Sequence, residues 1–224
     1  IMFNDRYGLT DAVLKGRKTM TRRIEKNANL LQWLNELDDD GAIRTIKGTI
    51  LSEENSAYKV GEIVAVAQNY FDLRNCDAFY EALNKADPYF PLECIKGEKG
   101  AYNKMFVKSE WMPHRIRITD IKVERLQNIS DEDCLREGID KDYAEGTALY
   151  WWSVPHEGIS WEEYKKRNYE LSRHELNGET GSYFWDTPQG AFAALIDKVS
   201  GKGTWNRNPY VFAYTFELVK GTDQ

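Results

Sequence analysis

The sequence predicts an α+β fold. Three segments have the composition of β-strands: an apolar run at residues 63 to 67, an alternating run at 116 to 123 and a long apolar run at 210 to 219. Helix boundary signals occur elsewhere, with Ser130 and Thr187 each placed as the N-cap of a helical segment. Strands and helices together predict a chain of the α+β class.

One domain is expected over residues 1 to 224. This length suffices for one large core and does not require a second. Segments that interrupt the predicted core are interpreted as insertions, at about 25 to 57, 72 to 110 and 140 to 187. The sequence contains no apolar run long enough to span a bilayer, and its first residues lack the pattern of a signal peptide. We therefore expect a cytoplasmic protein without a membrane partner.

The charge balance and the cysteines restrict the ligands. Because tight unspecific binding to duplex DNA depends on neutralising phosphates with Lys and Arg, the net charge of -6 disfavours it. A small or single-stranded ligand fits better. The cysteines and histidines are scattered, without the spacing of a disulfide framework or a zinc site; they are Cys76, Cys94, Cys134, His114, His156 and His174. We expect reduced thiols, no metal site and no cofactor.

A basic island follows the first predicted helix. Residues 9 to 15 have helical spacing, Asp5 or Thr10 is expected to cap the helix, and Gly16 is expected to end it. The cations of the island are Lys15, Arg17, Lys18, Arg22 and Arg23. Such an island in an acidic chain favours an anion or a nucleotide as the ligand, although runs of Lys and Arg also occur as solvated surface. The side chains expected to bind the ligand are those of Arg17, Thr19, Arg22 and Arg23.

Between residues 25 and 110 the patterns are weaker. Helical spacing at residues 30 to 37 is followed by a turn and a weak strand at 42 to 51. The run at 63 to 67 is apolar on both faces and is therefore expected to be a central strand. A short helix is expected around 78 to 83, and we assign no chemistry to the loop after it.

The alternating run changes phase in its middle. Ile116 and Ile118 share one phase, whereas Ile121 and Val123 share the other. This slip predicts a bulge or a turn near Thr119.

The helix after that run ends at an acidic residue. Ser130 is its predicted N-cap, Asp133 occupies the capping-box position, and Gly138 stops it. Glu137 lies in the last turn, where the negative end of the helix dipole disfavours its charge. We expect Glu137 either to have a cationic partner or to be held protonated, the alternative being a solvated surface carboxylate.

Residues 140 to 187 combine aromatic and basic side chains. Tryptophans and tyrosines occur there beside a basic run at residues 165 to 167. This mixture can stack bases and bind phosphates, which would make the segment a lid over a ligand. The helical spacing of Trp161 and Tyr164 favours the packing of an insertion instead, and both interpretations stay open.

The last segment is a helix followed by a strand. Thr187 as N-cap and Pro188 at the first helical position predict the helix, which stops before Gly201. Residues 205 to 209 are then expected to turn the chain into the strand at 210 to 219.

Four blocks of the sequence resemble one family. The run FNDRYGLTDAVLKGRKTMTRRI at 3 to 24 resembles the opening of the ASCH family, whose members share a fold with the PUA domains that bind RNA. The blocks MPHRIRITDIKVERLQNISDEDCLREGI at 112 to 139, WNRNPYVFAYTFELV at 205 to 219 and KVGEIVAV at 59 to 66 are similar to the same family. The resemblance implies a PUA-like (ASCH) small mixed β-barrel with flanking helices, large insertions and a cleft beside the barrel. Many relatives have an aromatic residue, Val, Arg and Glu where this chain has Ala67-Gln68-Asn69-Tyr70.

The resemblance also implies a catalytic trio. In relatives of the small bacterial acetylcytidine amidohydrolases, a lysine and a threonine of a Gly-x-Lys-Thr-x-Thr motif act with a glutamate in the helix after the central strands. These positions fall on Lys18, Thr21 and Glu137. Lys18 would take the proton of the Thr21 hydroxyl, which would attack an acyl carbonyl, while Glu137 would protonate the departing amine. Arg17 or Arg22 would hold the oxyanion or a phosphate.

Spacing places one condition on this trio. Residues three apart point to opposite faces of a regular strand, so Lys18 and Thr21 can cooperate only if the chain bends between them.

Three functions follow from these observations. The leading expectation is binding of single-stranded RNA or a modified nucleoside in the cleft. The alternative is an amidohydrolase that removes an acyl group from a nucleobase such as acetylcytidine. A metal-assisted ribonuclease ranks lowest, because it needs clustered acidic or histidine ligands and the sequence has none.

Overall fold

The computed structural model describes residues 1–39, 46–47, 55–144, 147–152 and 185–219. The helices are α1 (Leu9–Leu14), α2 (Ala28–Asp39), α3 (Asp77–Ala86), α4 (Asp131–Arg136), α5 (Pro188–Ser200) and α6 (Thr204–Arg207). The strands are β1 (Met20–Ile24), β2 (Ile46–Lys47), β3 (Ile63–Ala65), β4 (Arg115–Arg125), β5 (Ile139–Ala144), β6 (Thr147–Trp152) and β7 (Tyr210–Leu218). Short 3-10 turns lie before α1, between α3 and β4, and after β4.

The main sheet is antiparallel and curls into a half-barrel with helices beside it. Its strand order is β1-β7-β4-β2. β3 also pairs with β4, at the beginning of that strand, whereas β2 pairs with β4 nearer its end. β5 and β6 form a separate antiparallel pair. The predicted α+β class is confirmed, and β7 lies between the two strands, β1 and β4, that carry the site described below.

The bulge predicted near Thr119 is confirmed. Ile118 pairs with Phe216 of β7 and Asp120 pairs with the next residue, Thr215, so Thr119 is the extra residue. The four isoleucine and valine side chains on the two sides of this bulge are all buried in one core; they are Ile116, Ile118, Ile121 and Val123. The bulge thus lets the apolar side chains before and after it point toward the same core, although their alternation is out of step.

Two local predictions are wrong. The run at 63 to 67 is not a central strand, because β3 is three residues long, pairs with β4 alone among the described strands, and leaves Ile63 40% exposed. The first helix is not capped by Asp5 or Thr10. Gly8, in the left-handed conformation, precedes α1 without a side-chain cap, and the Thr10 hydroxyl bonds to the Asp5 carboxylate instead.

The core has two parts. The larger one packs the main sheet against α1, α2 and α5, with Val13, Leu34 and Phe192 as examples from these helices. The smaller one surrounds Trp111 and Tyr70 and is built from residues of the predicted insertion at 72 to 110 and its flanks. The single-domain arrangement stays a prediction.

The other two insertions are described in part. The one at 25 to 57 contributes α2 to the larger core and β2 to the sheet. In the one at 140 to 187, the β5–β6 pair packs Trp152 against Trp185, with ring centroids 4.8 Å apart. Residues 153 to 184, which include Trp161, Tyr164 and the basic run, lie outside the described residues.

Among the helices that the structure describes, none combines the length and the apolar character needed to cross a bilayer.

Candidate functional site

Lys18 reaches the site from a turn, not from a strand. Gly16 adopts a φ of 72° after α1, and the backbone N–H groups of Arg17 and Lys18 both donate to the Ala12 carbonyl. β1 begins only at Met20. The chain therefore bends before β1 begins, as cooperation between Lys18 and Thr21 requires. Because Lys18 is not part of the strand, it does not have to face the side opposite to Thr21.

Glu137 is presented by the end of α4. Ser130 caps the beginning of this helix by accepting a hydrogen bond from the Asp133 N–H, as predicted. Glu137 is the last residue before Gly138, whose φ of 100° ends the helix. Lys18 Nζ donates to the Glu137 carboxylate at 2.6 Å and to the Glu137 carbonyl at 2.7 Å. The predicted cationic partner is thus present, and it also satisfies a carbonyl at the negative end of the helix.

Arg22 joins three carboxylates. Its guanidinium donates to Glu124 at 2.6 Å, to Asp133 at 2.9 Å and to Glu137 at 3.1 Å. Lys122 supplies a further cation, 2.6 Å from Asp133 and 3.2 Å from Glu124. We call these six residues the buried ion network: Lys18, Arg22, Lys122, Glu124, Asp133 and Glu137. The three cations and three carboxylates of this network balance in formal charge, and the more exposed Arg136 adds a fourth cation 3.4 Å from Asp133.

Strand register brings the network together. Ala213 of β7 pairs with Arg22 on one side and with Lys122 on the other. The three residues therefore lie in one row across the sheet, with a methyl group in the middle. Because this side chain is so small, the long side chains of β1 and β4 can reach across β7 to the same carboxylates.

Burial and charge act in opposite directions on the network. Burial lowers the pKa of Lys18, the charges of Arg23 and Arg22 lower it further, and the Glu137 carboxylate opposes this shift without reversing it. Burial also lowers the pKa of Arg22, but Glu137 and Glu124 outweigh it and raise the pKa overall. The pKa of Lys18 is thus lowered whereas that of Arg22 is raised, so Lys18 loses its proton more readily than Arg22 does.

One cavity contains all three residues of the predicted trio. It has a volume of about 380 Å³ and is lined by Lys18, Thr21 and Glu137. Apolar walls come from Phe3 before α1 and from one face of α5, represented by Phe192. A volume of this size, with mainly apolar walls and a few polar groups, is typical of small-ligand sites.

Thr21 lines this cavity, and its hydroxyl has no side-chain hydrogen bond within the described residues. The residue is 5% exposed. A threonine hydroxyl that lacks a protein partner is available to a ligand or to water.

The residues expected to bind a ligand divide into two groups. Arg22 and Arg23 line the cavity, although the Arg22 guanidinium is committed to the ion network. Arg17 and Thr19 lie outside its lining: Arg17 pairs with Asp140 at 2.8 Å, and Thr19 lies 3.5 Å from Arg136. The basic island is therefore not an open cationic surface, because carboxylates neutralise most of it.

Sequence reasoning missed part of the site. The contacts of Arg22 with Glu124 and Asp133 were not predicted, because these residues lie 102 and 111 positions from Arg22 in the sequence. Lys122, which contacts the same two carboxylates, was also missed. Lys26 also lines the cavity and was overlooked. One signal was present for Glu124: it directly follows the alternating apolar run and could have been read as a buried acid in need of a cation.

The three cysteines and one of the histidines can be described, whereas His156 and His174 lie outside the described residues. Cys76, Cys94 and Cys134 are free thiols, and burial raises the pKa of Cys134 to about 12. His114 donates from Nδ1 to Gln68 at 2.7 Å, away from the cavity lining. Among the described residues, no group of three or more His, Cys, Asp or Glu side chains is arranged to bind a metal ion.

The fold and the site together define an α+β protein with a small cavity beside a curled sheet, and three residues of a buried ion network line that cavity. Comparisons of the chain with protein-family models, with curated proteins and with solved structures gave no match.

Proposed function

We propose that this chain is a PUA-like protein of the ASCH type that binds a modified nucleoside, or one nucleotide of single-stranded RNA, in the cavity beside the sheet. The observation that carries the proposal is the convergence of Lys18, Thr21 and Glu137 on one cavity. These residues come from the motif and the helix that the family resemblance singles out. The half-barrel sheet with helices beside it is compatible with that fold.

The cavity favours one base over several. Its volume of about 380 Å³ suits a nucleoside, and the aromatic rings of Phe3 and Phe192 supply apolar surface for a base. Lys18 and Thr21 supply polar groups that would fix the orientation of the base.

Binding can be tested with two matched threonine variants. Isothermal titration with cytidine, acetylcytidine and a short single-stranded RNA would identify a ligand of the wild-type protein. Thr21→Val removes the hydroxyl in the cavity, and we expect it to weaken binding about fivefold, the effect of one hydrogen bond. Thr19→Val removes a neighbouring hydroxyl outside the cavity and should leave the affinity unchanged. Absence of binding to all three ligands, or equal losses in the two variants, would contradict the proposal.

An amidohydrolase is the second candidate. The observation that favours it is that Thr21 lines the same cavity as Lys18, an amine with a lowered pKa. The candidate requires Thr21 within hydrogen-bond reach of Lys18, and among the described residues Lys18 Nζ donates to Glu137 and not to Thr21. A threonine needs a base to become a nucleophile, and such an amine can be that base.

The proposed reaction first requires the proton of the Lys18–Glu137 ion pair to move from the Lys18 ammonium to the Glu137 carboxylate, which leaves a neutral amine on Lys18. Thr21 Oγ1 then bonds to the acyl carbon and gives its proton to Lys18. The bond from the acyl carbon to the amine nitrogen breaks, and Glu137 donates its proton to that nitrogen. Water next cleaves the acyl ester, Glu137 takes the proton of the water, and Lys18 returns one to Thr21.

Turnover separates the two candidates. Cytidine released from acetylcytidine can be followed by liquid chromatography for the wild-type protein, Thr21→Val and Thr19→Val. If the chain is an amidohydrolase, Thr21→Val should lose about 10²- to 10⁴-fold in rate, whereas Thr19→Val should keep it. Binding of acetylcytidine without any release of cytidine would support the binding function and rule out the amidohydrolase.

A further inference from the structure

Two cations at the cavity lack carboxylate partners. Lys18, Arg22, Arg23 and Lys26 line the cavity, but Glu137 is its only carboxylate lining residue within the described chain. Lys18 and Arg22 are neutralised inside the buried ion network. Within the described residues, no carboxylate lies at ion-pair distance from Arg23 or Lys26, which are both exposed.

The neighbouring acid does not compensate for them. Glu25 lies between Arg23 and Lys26 in sequence, but its carboxylate accepts hydrogen bonds from the backbone N–H groups of Lys26 and Asn27. This arrangement keeps the acid in the turn after β1. Two positive charges therefore remain at the rim of the cavity of a chain whose net charge is -6.

Arg23 is held beside the cavity with donors to spare. One Nη donates to the Met2 carbonyl at 2.6 Å, and the guanidinium carbon lies 5.9 Å from the centre of the Phe3 ring. A guanidinium has five N–H donors, so most of them stay available. Because the side chain is already held in place, an anion would bind without first ordering it.

The spacing of residues along β1 relates Arg23 to Thr21 in the cavity. Thr21 and Arg23 are two residues apart in a strand, so they share a face and their Cα atoms are separated by about 7 Å. Because the two side chains share a face and both residues line the cavity, one ligand can contact Thr21 and Arg23 with different groups, such as the base and the phosphate of a nucleotide.

We propose that Arg23 and Lys26 form a phosphate site at the mouth of the cavity, so that the ligand is a phosphorylated nucleoside with its base inside. This inference rests on the proposed function and specifies its ligand. The phosphate can belong to a free nucleoside monophosphate or to the 5′ end of an RNA strand, since both present the same group. Arg23 and Lys26 would bind it through charge-assisted hydrogen bonds.

The test compares ligands with and without the phosphate. Isothermal titration at low salt would measure cytidine, cytidine 5′-monophosphate and inorganic phosphate against the wild-type protein. We expect the monophosphate to bind at least about tenfold more tightly than cytidine. In the double variant Arg23→Gln, Lys26→Gln the ratio of the two affinities should fall to about one. The control Arg74→Gln, Lys85→Gln removes the same two charges from exposed positions outside the cavity lining and should keep the preference.

The outcomes separate this inference from the proposed function. Equal affinity for cytidine and its monophosphate, or a preference that survives in the double variant, would overturn the phosphate site and leave nucleoside binding intact. If neither cytidine nor its monophosphate binds, the proposed function fails. The titration with inorganic phosphate then tests the phosphate site independently of that function. Phosphate binding that is lost in the double variant would support the site, and absence of phosphate binding would overturn it.

A further pair of ligands identifies the source of the phosphate. A short RNA with a 5′-phosphate is compared with the same RNA without it. A larger gain from the phosphate in RNA than in the mononucleotide would assign the site to an RNA end, and a smaller gain would assign it to a free nucleotide. No gain in either pair contradicts the inference.

Discussion

Arg22 shows how burial changes the use of a charged residue. It was expected to contact a ligand, yet its guanidinium is almost completely enclosed and donates to Glu124, Asp133 and Glu137. A planar guanidinium can serve several carboxylates at once, which an ammonium group cannot do equally well. Arg22 therefore positions Glu137 for Lys18.

Removal of Arg22 should be costly. Arg22→Met leaves three buried carboxylates with one fewer cation, and we expect the free energy of unfolding to fall by about 3–5 kcal/mol. The matched change Arg17→Gln breaks partly exposed pairs with Asp140 and Asp11 and should cost no more than about 1 kcal/mol. Urea unfolding followed by circular dichroism measures both values. Similar small losses in the two variants would show that the network contributes little to stability.

α4 is short, and its two ends have different tasks. Its first turn is capped by Ser130, whereas its last residues carry Glu137 to Lys18. Gly138 makes this delivery possible, because a φ of 100° turns the chain sharply into β5 directly after Glu137. The position of the carboxylate thus depends on the conformation of one glycine.

A side chain at Gly138 should disturb both the helix end and the site. Gly138→Ala forces an alanine into a conformation that L-residues rarely adopt, and we expect a loss of about 1–3 kcal/mol in the free energy of unfolding. The added Cβ would lie 3.5 Å from the Lys18 Cβ, an ordinary contact, so the cost comes from the backbone.

Gly97→Ala is the control for this change. A Cβ at Gly97 meets no atom within 4 Å, and the residue does not have a positive φ. Its effect should stay within about 0.5 kcal/mol. Chemical denaturation compares the two proteins, and equal stabilities would contradict the role given to Gly138.

At the scale of the molecule, the ion network joins the sheet to the helix that covers it. Its members come from the turn before β1, from β1, from β4 and from α4 and its end. Three of them line the cavity, namely Lys18, Arg22 and Glu137. The site and the stability of the fold are therefore coupled through the same charges, and acid should affect both.

Stability should fall in acid, in part through Asp133. Burial raises the pKa of Asp133, but the hydrogen bond and charge of Lys122 and the charge of Arg22 outweigh it and lower the pKa below its ordinary value of 3.8. The unfolded chain binds this proton more readily than the folded one. The stabilisation is thus complete above pH 3.8 and is lost as the pH falls through the lower, folded-state pKa.

Thermal unfolding between pH 7 and pH 2 tests this dependence. Asp133→Asn should be less stable than the wild type at pH 7 and should lose less stability on acidification. Glu132→Gln, an exposed change on the same helix, controls for the removal of one carboxylate. Parallel pH profiles for the wild type and Asp133→Asn would contradict the assignment to Asp133.

Much of the fold could be predicted because its signals are local. The cap at Ser130 and the phase slip at Thr119 depend on residues within a few positions, and both features are present. The short β3 was misjudged because an apolar run does not reveal how many strands flank it.

The sequence by itself determined the α+β class, the helix caps at Ser130 and Thr187 and the bulge at Thr119, and it singled out Lys18, Thr21 and Glu137 as candidate site residues. Only the tertiary structure decided which of those residues share the cavity, because strand register brings Arg22 and Lys122 to either side of Ala213 and α4 brings Glu137 to Lys18. The physical reason is distance along the chain. Caps and bulges depend on near neighbours, whereas a buried charge finds its partner about 100 residues away only after the sheet has closed.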